Sequence, residues 1–278
     1  MSGSARTLLV PGVGWAFGCS RPGAAHRREG RPCQDAFLLT AGAAVGVPYL
    51  SAAVADGHGN AAHDLSQYGA DLAVRVAAEE WHALLGDFLP DTATLLSDFR
   101  AGFAARLARR WRDRVHDDAR RRGHFEHGVH RRYGTTLLTA LALPGLLLLA
   151  RIGDGDILLL GPTGLVDRPL PAPERLGGGE TYSLAGADVP LYLDTAVRER
   201  AAGVLLLCTD GLDHCFAPGG LDLFASTVAD RVRTAGAAVV AAAQPAWLDH
   251  FSACGGGDDV TLVAVGLDEP TRSPAARA

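Results

Sequence analysis

The sequence predicts an α+β fold in which antiparallel β-sheets are covered by helices. Strands and helices occur in blocks along the chain, without the regular alternation that is typical of parallel sheets. The turns between successive strand-like runs are too short for crossover helices, so neighbouring strands must run antiparallel. With 278 residues, 48% of them hydrophobic, the chain is long enough to bury one substantial core.

Each block in the first half has its own pattern. Three strand-like runs come first, rich in small, aromatic and β-branched residues between glycine and proline signals. They span residues 13–19, 36–40 and 49–55. A long helical region follows, and a second helix carries an apolar residue at every fourth position, which predicts one buried face. That stripe consists of Phe99, Phe103, Leu107, Trp111 and Val115.

In the second half the period changes to that of strands. The predicted strands span residues 135–143, 146–152, 157–160, 182–185 and 204–209. Short turns at 144–145, 153–155 and 161–164 predict antiparallel hairpins. Alanine-rich helices fill residues 221–250, and residues 260–265 form the last predicted strand.

Composition narrows the class of protein. The formal net charge of −5 gives no electrostatic case for a nucleic-acid partner. Residues 1–17 do not read as a signal peptide, and the longest apolar stretch, 137–150, is shorter than the roughly 18 to 20 residues of a bilayer span. Five cysteines without a C-x-x-C pair favour a reducing cytoplasm. We therefore expect a soluble, cytoplasmic protein without a membrane partner, with one domain over 1–268 and a disordered tail over 269–278.

The chain contains no lysine, and its basic residues are arginine and histidine alone. This excludes Schiff-base chemistry, pyridoxal-phosphate attachment and a lysine that binds nucleotide phosphates in a glycine-rich loop.

Four short acidic motifs lie where a strand meets a turn. They are Gln34-Asp35, Asp56-Gly57-His58-Gly59, Thr209-Asp210-Gly211 and Asp258-Asp259. A carboxylate next to a buried strand lies at the rim of the core, where its charge is unfavourable unless a partner neutralises it. Converging carboxylates would repel one another, and Mg²⁺ or Mn²⁺, which prefer oxygen ligands, would relieve that repulsion. A single Asp-Gly is an ordinary turn, but four motifs in this order predict a metal centre.

Seven motifs follow one another along nearly the whole chain. They read G-x-x-H (23–26) leading to P-C-Q-D-A (32–36), V-A-D-G-H-G (54–59), Y-G-T-T-L (133–137), I-G-D-G (152–155), E-T-Y-S-L (180–184), L-L-L-C-T-D-G-L (205–212) and G-D-D-V-T-L-V (257–263). In this combination the chain resembles a bacterial branch of the protein phosphatase type 2C family, the PPM metal-dependent serine/threonine phosphatases. The resemblance implies an α-β-β-α sandwich, two antiparallel β-sheets flanked by helices, with a two-metal site at one end.

The resemblance also implies roles for individual residues. The ligands of two divalent cations, Mn²⁺ or Mg²⁺, would be Asp56, Gly57 through its carbonyl, Asp210 and Asp258. Asp35 would orient water at the metals, and His58 would protonate the departing serine or threonine oxygen. The implied reaction is hydrolysis of phosphoserine and phosphothreonine in proteins by a hydroxide that bridges the metals, in a pathway with a cognate kinase.

Three positions depart from the family pattern. Gln34 stands where many members place a metal-binding glutamate, so one ion would have a neutral amide ligand. The arginine that grips substrate phosphate in many relatives has no clear equivalent, and His26 and Arg31 are the predicted replacements, with the neighbouring arginines as alternatives. Arg131 lies near the position at which some members have an acidic residue that helps to hold a third metal, and that acid has no counterpart here.

Other patterns have alternative interpretations. The arginine-dense region 106–132 suits docking of an acidic or phosphorylated partner, but an exposed helix face is the favoured interpretation. His124, His127 and His130 are predicted to lie in a polar loop rather than a zinc site, and residues 153–156 in a hairpin rather than a calcium loop. For the whole chain, the alternatives are a pseudophosphatase that acts as a binding module and a hydrolase of small-molecule phosphates.

Overall fold

The computed structural model describes residues 6–88, 91–171, 181–199 and 201–267. The predicted disordered tail, 269–278, lies outside these residues. In chain order, the strands are β1 (Arg6–Val10), β2 (Gly14–Arg21), β3 (Ala36–Ala44), β4 (Val47–Ala55), β5 (Leu137–Leu143), β6 (Leu146–Ile152), β7 (Asp156–Leu160), β8 (Val166–Asp167), β9 (Asp194–Glu199), β10 (Gly203–Cys208) and β11 (Val260–Leu267). The helices are α1 (Ala24–Glu29), α2 (Ser66–Phe88), α3 (Thr92–Arg121), α4 (Val189–Tyr192), α5 (Asp210–Asp213), α6 (Gly220–Ala235) and α7 (Ala237–Cys254).

The strands form two antiparallel sheets that pack face to face. One sheet has the order β1-β2-β11-β10-β7-β8, and the other has the order β3-β4-β5-β6-β9. Helices α2 and α3 cover the outer face of the five-stranded sheet, and α6 and α7 cover the six-stranded one. A separate apolar layer fills the space between the sheets. The predicted α-β-β-α sandwich is therefore confirmed.

The predicted stripe on α3 faces the five-stranded sheet and α2. All five of its side chains are fully buried, and each such burial contributes roughly 1.5 to 3 kcal/mol of stability. The Trp81 ring on α2 stacks on Phe103 with 4.2 Å between ring centroids. The Trp81 indole N–H also donates a 2.7 Å hydrogen bond to the Thr139 hydroxyl on β5, which fixes α2 on the sheet.

Two local predictions are wrong. Residues 153–156 do not form a hairpin, because β6 belongs to the five-stranded sheet and β7 to the six-stranded one, so this turn crosses between the sheets. In the sequence, a short turn between two buried strands has the same pattern whether it forms a hairpin within one sheet or crosses between two sheets. Residues 182–185 are not a strand: Leu184 donates its N–H to the Thr135 carbonyl, but the segment joins no ladder. Six short elements had no counterpart in the prediction: β1, α1, β8, α4, β9 and α5.

The register of the strands brings the four acidic motifs to one edge of the sandwich. β3 begins at Ala36 opposite Ala55, the last residue of β4, so Asp35 and Asp56 are neighbours. β10 ends at Cys208 opposite Leu262, so the residues after β10 lie beside those before β11. Among the described residues, no helix has the length and apolar character needed to cross a membrane.

Candidate metal centre

Asp56 leaves β4 with its backbone held from both sides. The Thr136 hydroxyl accepts a 3.1 Å hydrogen bond from the Asp56 N–H, and the Asp56 carbonyl accepts 2.8 Å bonds from the Thr136 N–H and the Thr135 hydroxyl. These are the two threonines of the Y-G-T-T-L motif, whose role is thus to fix the end of β4. At Gly57 a Cβ would stand 2.8 Å from the Gln34 carbonyl oxygen, so this close approach requires glycine.

The Asp35 carboxylate is held by two hydroxyl groups. Its Oδ2 atom accepts hydrogen bonds from Thr209 at 2.9 Å and from Thr261 at 2.7 Å. Its Oδ1 atom is buried and has no hydrogen-bond partner among the described residues. Burial and then the charge of Asp259 raise the pKa of Asp35 well above its usual value, although the two hydroxyl groups oppose this shift.

The carboxyl groups of Asp56 and Asp210 lie within hydrogen-bonding reach of each other. Burial and then the carboxylates of Asp35 and Asp210 raise the pKa of Asp56 well above its usual value. One Asp210 oxygen is buried without a partner in the described part of the chain. Close carboxylates with unpaired buried oxygens are unfavourable unless a cation lies between them. The residues present therefore fit hard divalent cations, which all-oxygen donor sets select.

Asp258 and Asp259 reach the same edge from the turn before β11. Asp259 is buried and accepts 2.6 Å hydrogen bonds from the backbone N–H groups of Gly23 and Gln34. The His26 ring lies 2.9 Å from the Asp259 carboxylate through Nδ1 and 3.6 Å from Asp258 through Nε2. Ligand atoms of these three side chains lie within 4.8 Å of one another. Because the backbone already engages both Asp259 oxygens, Asp258, which is 54% exposed, is the carboxylate open to an ion.

His58 lines the cleft next to these carboxylates. Its ring packs edge-on against His63, with 4.9 Å between ring centroids. Burial and then the nearby His63 lower the pKa of His58 to about 4, so its imidazole is neutral at neutral pH. His63 in turn contacts the carbonyl oxygen of Arg131 through Nδ1. A bound anion would raise the pKa of His58 and allow it to carry a proton.

Several of these acidic residues line a cleft of about 740 Å³. Of the predicted site residues, those in the cleft wall are Asp56, Gly57, His58, Asp210 and Asp258. Asp35, His26 and Arg31 are not in the wall. The His26 side chain is 6% exposed, and Arg31 pairs with Glu29 at 2.7 Å. The structure thus groups the predicted metal ligands and leaves the two predicted phosphate-binding residues outside the cleft wall; their phosphate role stays a prediction.

Two charged residues of the cleft were not predicted as site residues. Among the described residues, Arg131 is the one arginine that lines the cleft. In the sequence, Arg131 stood out only as a departure from the acidic residue found near this position in some family members. Asp154, predicted to lie in a hairpin, also lines the cleft, where burial and then Asp210 raise its pKa. The I-G-D-G motif was a signal for Asp154, but its short turn has the same pattern as a hairpin.

Gln34 lines the cleft through an uncharged side chain. Its amide nitrogen donates to the Ser66 hydroxyl at 2.6 Å and to the His58 carbonyl at 3.4 Å. These bonds leave the amide oxygen as the atom available to an ion. A neutral oxygen attracts a cation less strongly than a carboxylate does, so Gln34 would be a weaker ligand than a glutamate at the same position.

Two stacked antiparallel sheets with a carboxylate-lined cleft at one edge define an α-β-β-α protein built to bind divalent cations. The chain belongs to the protein phosphatase 2C family, whose model matches residues 22–249. The family resemblance of the sequence motifs is thereby confirmed. No curated protein matches the chain in sequence.

Similar solved structures extend over almost the whole chain. The catalytic domain of the serine/threonine phosphatase PstP, solved with two manganese ions, is 21% identical, covers 95% of this chain and 99% of its own, and has a TM-score of 0.58. RsbX, solved with magnesium, is 14% identical with coverage of 95% and 100% and a TM-score of 0.55. PppA of Pseudomonas aeruginosa is 17% identical with coverage of 96% and 99% and a TM-score of 0.57. At these identities the likeness shows the fold.

Proposed function

We propose that this protein is a metal-dependent phosphatase that hydrolyses phosphoserine and phosphothreonine in other proteins. The observation that carries this proposal is the convergence of Asp35, Asp56 and Asp210, with buried carboxylate oxygens on Asp35 and Asp210 that no protein donor occupies. Membership of the protein phosphatase 2C family supports the class of reaction. The ions solved with PstP and RsbX support Mn²⁺ or Mg²⁺ as the cofactor.

The proposed ligands of the two ions are Asp56, the Gly57 carbonyl, Asp210 and Asp258. When bound, the ions would activate water and neutralise charge on the phosphate. Asp35 would orient water through its Oδ1 atom, which has no protein donor. His58 would give a proton to the departing serine or threonine oxygen once the phosphate dianion has raised its low pKa.

Arg131 is the residue that we propose to bind the substrate phosphate. It is exposed, it lines the cleft, and no described carboxylate lies within ion-pair distance of it. An arginine bond to phosphate contributes roughly 1.5 to 3 kcal/mol, so Arg131→Ala should raise KM for p-nitrophenyl phosphate roughly 10- to 100-fold. Arg31→Ala tests the earlier prediction: a larger rise in KM for that variant would assign the phosphate contact to Arg31 instead.

We also propose that the protein acts in the cytoplasm beside a serine/threonine kinase. All five cysteines are free thiols, which fits a reducing compartment. Phosphorylated protein substrates require a kinase to produce them, so a cognate kinase is the implied partner.

The proposed function is tested with Asp210→Asn, which removes a proposed ligand and keeps the shape of the side chain. Loss of a residue that only hydrogen-bonds to a metal ligand lowers metal affinity or activity roughly 10- to 100-fold. Loss of a ligand itself should therefore lower Mn²⁺-dependent turnover of a phosphothreonine peptide at least ~100-fold. The control is Asp71→Asn, which removes an exposed carboxylate that pairs with Arg75 on α2. Its activity should equal that of the wild type.

Three results would contradict the proposal in different ways. Tight Mn²⁺ binding with no turnover of any phosphoester would indicate a pseudophosphatase. Faster turnover of metabolite phosphates than of phosphopeptides would indicate a small-molecule hydrolase. Calorimetry that detects no Mn²⁺ binding at millimolar concentration would remove the metal centre itself.

A further inference from the structure

The arginine-dense region divides into two groups in the structure. Ten arginines lie between residues 106 and 132. Seven of them form ion pairs with nearby carboxylates: Arg106, Arg110, Arg114, Arg120, Arg121, Arg122 and Arg132. Five of these seven lie on α3, Arg122 directly follows it, and Arg132 lies further along the chain, so most of the positive charge of α3 is balanced by neighbouring carboxylates.

The other three arginines, Arg109, Arg112 and Arg131, have no ion-pair partner among the described residues. Arg131 lines the catalytic cleft, and Arg109 and Arg112 line a second groove of about 370 Å³ beside it. The groove runs between α3 and the segment that contains Ala187. These three unpaired arginines of the region therefore line the cleft or the groove beside it, whereas Arg100, which is also unpaired on α3, lines neither.

A thin wall separates the groove from the cleft. Gly186 belongs to the cleft lining, and the next residue, Ala187, belongs to the groove lining. Arg112 fixes this wall because its guanidinium donates to the Gly186 and Ala187 carbonyl oxygens. Adjacent Cα atoms lie about 3.8 Å apart, so a polypeptide that lies across the wall can reach both cavities.

The groove side of the wall carries a positive balance of charge, from two arginines and one aspartate among the described residues. His116 lies in the groove lining and stacks edge-on against His130, with 6.1 Å between centroids. Burial lowers the pKa of His130, and the neighbouring Arg112, His116 and Arg131 lower it further. Asp113 is the acidic residue of the groove lining among the described residues. It does not form an ion pair with Arg109 or Arg112, so both guanidinium groups keep unbalanced charge.

We propose that this groove binds anionic side chains that flank the phosphorylated residue of the substrate protein. The substrate class would then be phosphoproteins in which acidic residues or a second phosphate lie close to the target residue in the sequence, because the groove and the cleft are separated only by the wall at Gly186 and Ala187. The inference rests on the proposed phosphatase function and specifies its substrates. Anionic side chains of the substrate would be complementary in charge to the unpaired arginines of the groove, and this favours them over neutral or basic side chains.

The test compares two phosphothreonine peptides that differ only in their flanks, three glutamates or three glutamines on each side. Initial rates with Mn²⁺ at low salt are measured for the wild type, Arg109→Glu and Arg100→Glu. Arg100 is a matched control because it is exposed and unpaired on the same helix but lines neither cavity. A third substrate, p-nitrophenyl phosphate, has no flanks and reports on the catalytic centre alone.

We expect the wild type to show a KM for the glutamate peptide roughly 3- to 10-fold below that for the glutamine peptide, as for a few exposed ion pairs. Arg109→Glu should remove this preference, whereas Arg100→Glu should keep it, and p-nitrophenyl phosphate turnover should not change. Because these pairs are exposed, 0.5 M salt should also remove the preference. A doubly phosphorylated peptide should behave as the glutamate peptide does.

Equal KM values for the two peptides in an active wild-type enzyme would overturn this inference and leave the phosphatase function intact. Equal effects of Arg109→Glu and Arg100→Glu would also overturn it, because general surface charge would then suffice. If the enzyme turns over none of the substrates, the proposed function fails. Fluorescence anisotropy with the labelled phosphopeptides in EDTA then decides the groove separately, with tighter binding of the glutamate peptide as the supporting result.

Discussion

Asp56→Asn should stabilise the protein when no metal is present, although it should abolish metal binding. Every interaction that shifts the pKa of Asp56 acts against its charged form: burial first, then the carboxylates of Asp35 and Asp210. Asparagine keeps the shape of the side chain and removes the charge. The backbone bonds of Asp56 to Thr135 and Thr136 do not involve the carboxylate and remain.

The expected gain follows from the repulsion that is removed. Two like charges about 4 Å apart repel by about 4 kcal/mol at an effective dielectric constant of about 20. The Asp56 cleft is open to solvent, which screens part of this, so we expect roughly 1 to 2 kcal/mol. For a protein of this size that corresponds to a rise of roughly 3 to 6 °C in Tm. The control Asp71→Asn loses an exposed pair with Arg75 and should lower stability by only about 0.3 to 0.5 kcal/mol.

The assay is thermal unfolding at pH 8, in EDTA and in excess Mn²⁺. Ligand at 100 times its Kd stabilises the folded state by about 2.7 kcal/mol, so wild-type Tm should rise on adding Mn²⁺, whereas Tm of Asp56→Asn should not. The raised pKa of Asp56 makes its charge destabilising above that pKa, and the penalty disappears as the pH falls through it. The advantage of Asp56→Asn in EDTA should therefore shrink on acidification. A lower Tm for Asp56→Asn than for wild type in EDTA at pH 8 would refute the reasoning.

The remaining predictions concern groups that hold the site in place. Replacing Thr209 and Thr261 by valine removes both hydroxyl donors to the buried Asp35 carboxylate, and calorimetry should show Mn²⁺ affinity lowered roughly 10- to 100-fold. The control Thr40→Val breaks a hydroxyl pair with Ser51 between β3 and β4 and should not change the affinity. Gly57→Ala places a Cβ 2.8 Å from a backbone oxygen and should lower the free energy of unfolding by about 1 to 3 kcal/mol. Urea denaturation measures this change, and an unchanged midpoint would show that the backbone there can shift to accommodate the methyl group.

Much of the fold could be predicted from local patterns. The spacing of Phe99, Phe103 and Trp111 fixed the buried face of α3, because only one side of a helix faces the sheet. The turn at Pro144-Gly145 predicted the β5–β6 hairpin, because a two-residue loop typically joins two adjacent antiparallel strands.

The turn between β6 and β7 could not be predicted in the same way. Both strands are buried, so their sequences do not alternate in a manner that would separate one sheet from the other. The choice between a hairpin and a crossing depends on tertiary packing: β7 pairs with β10, whose Leu205 and Leu207 lie between the sheets. That crossing is what carries Asp154 into the cleft, and the same error therefore hid a site residue.

The convergence of Asp35, Asp56 and Asp210 was predictable as chemistry, but the role of each arginine was not. A sequence gives the number of arginines and carboxylates, whereas function depends on which guanidinium groups remain unpaired after folding. Arg110 and Arg109 are adjacent in the sequence, yet Arg110 forms an ion pair with Glu80, whereas Arg109 lines the groove without an ion-pair partner among the described residues. Residual charge beside a catalytic cleft is thus a property of the folded surface, and substrate selection by this protein should follow that residue rather than the total charge of the region.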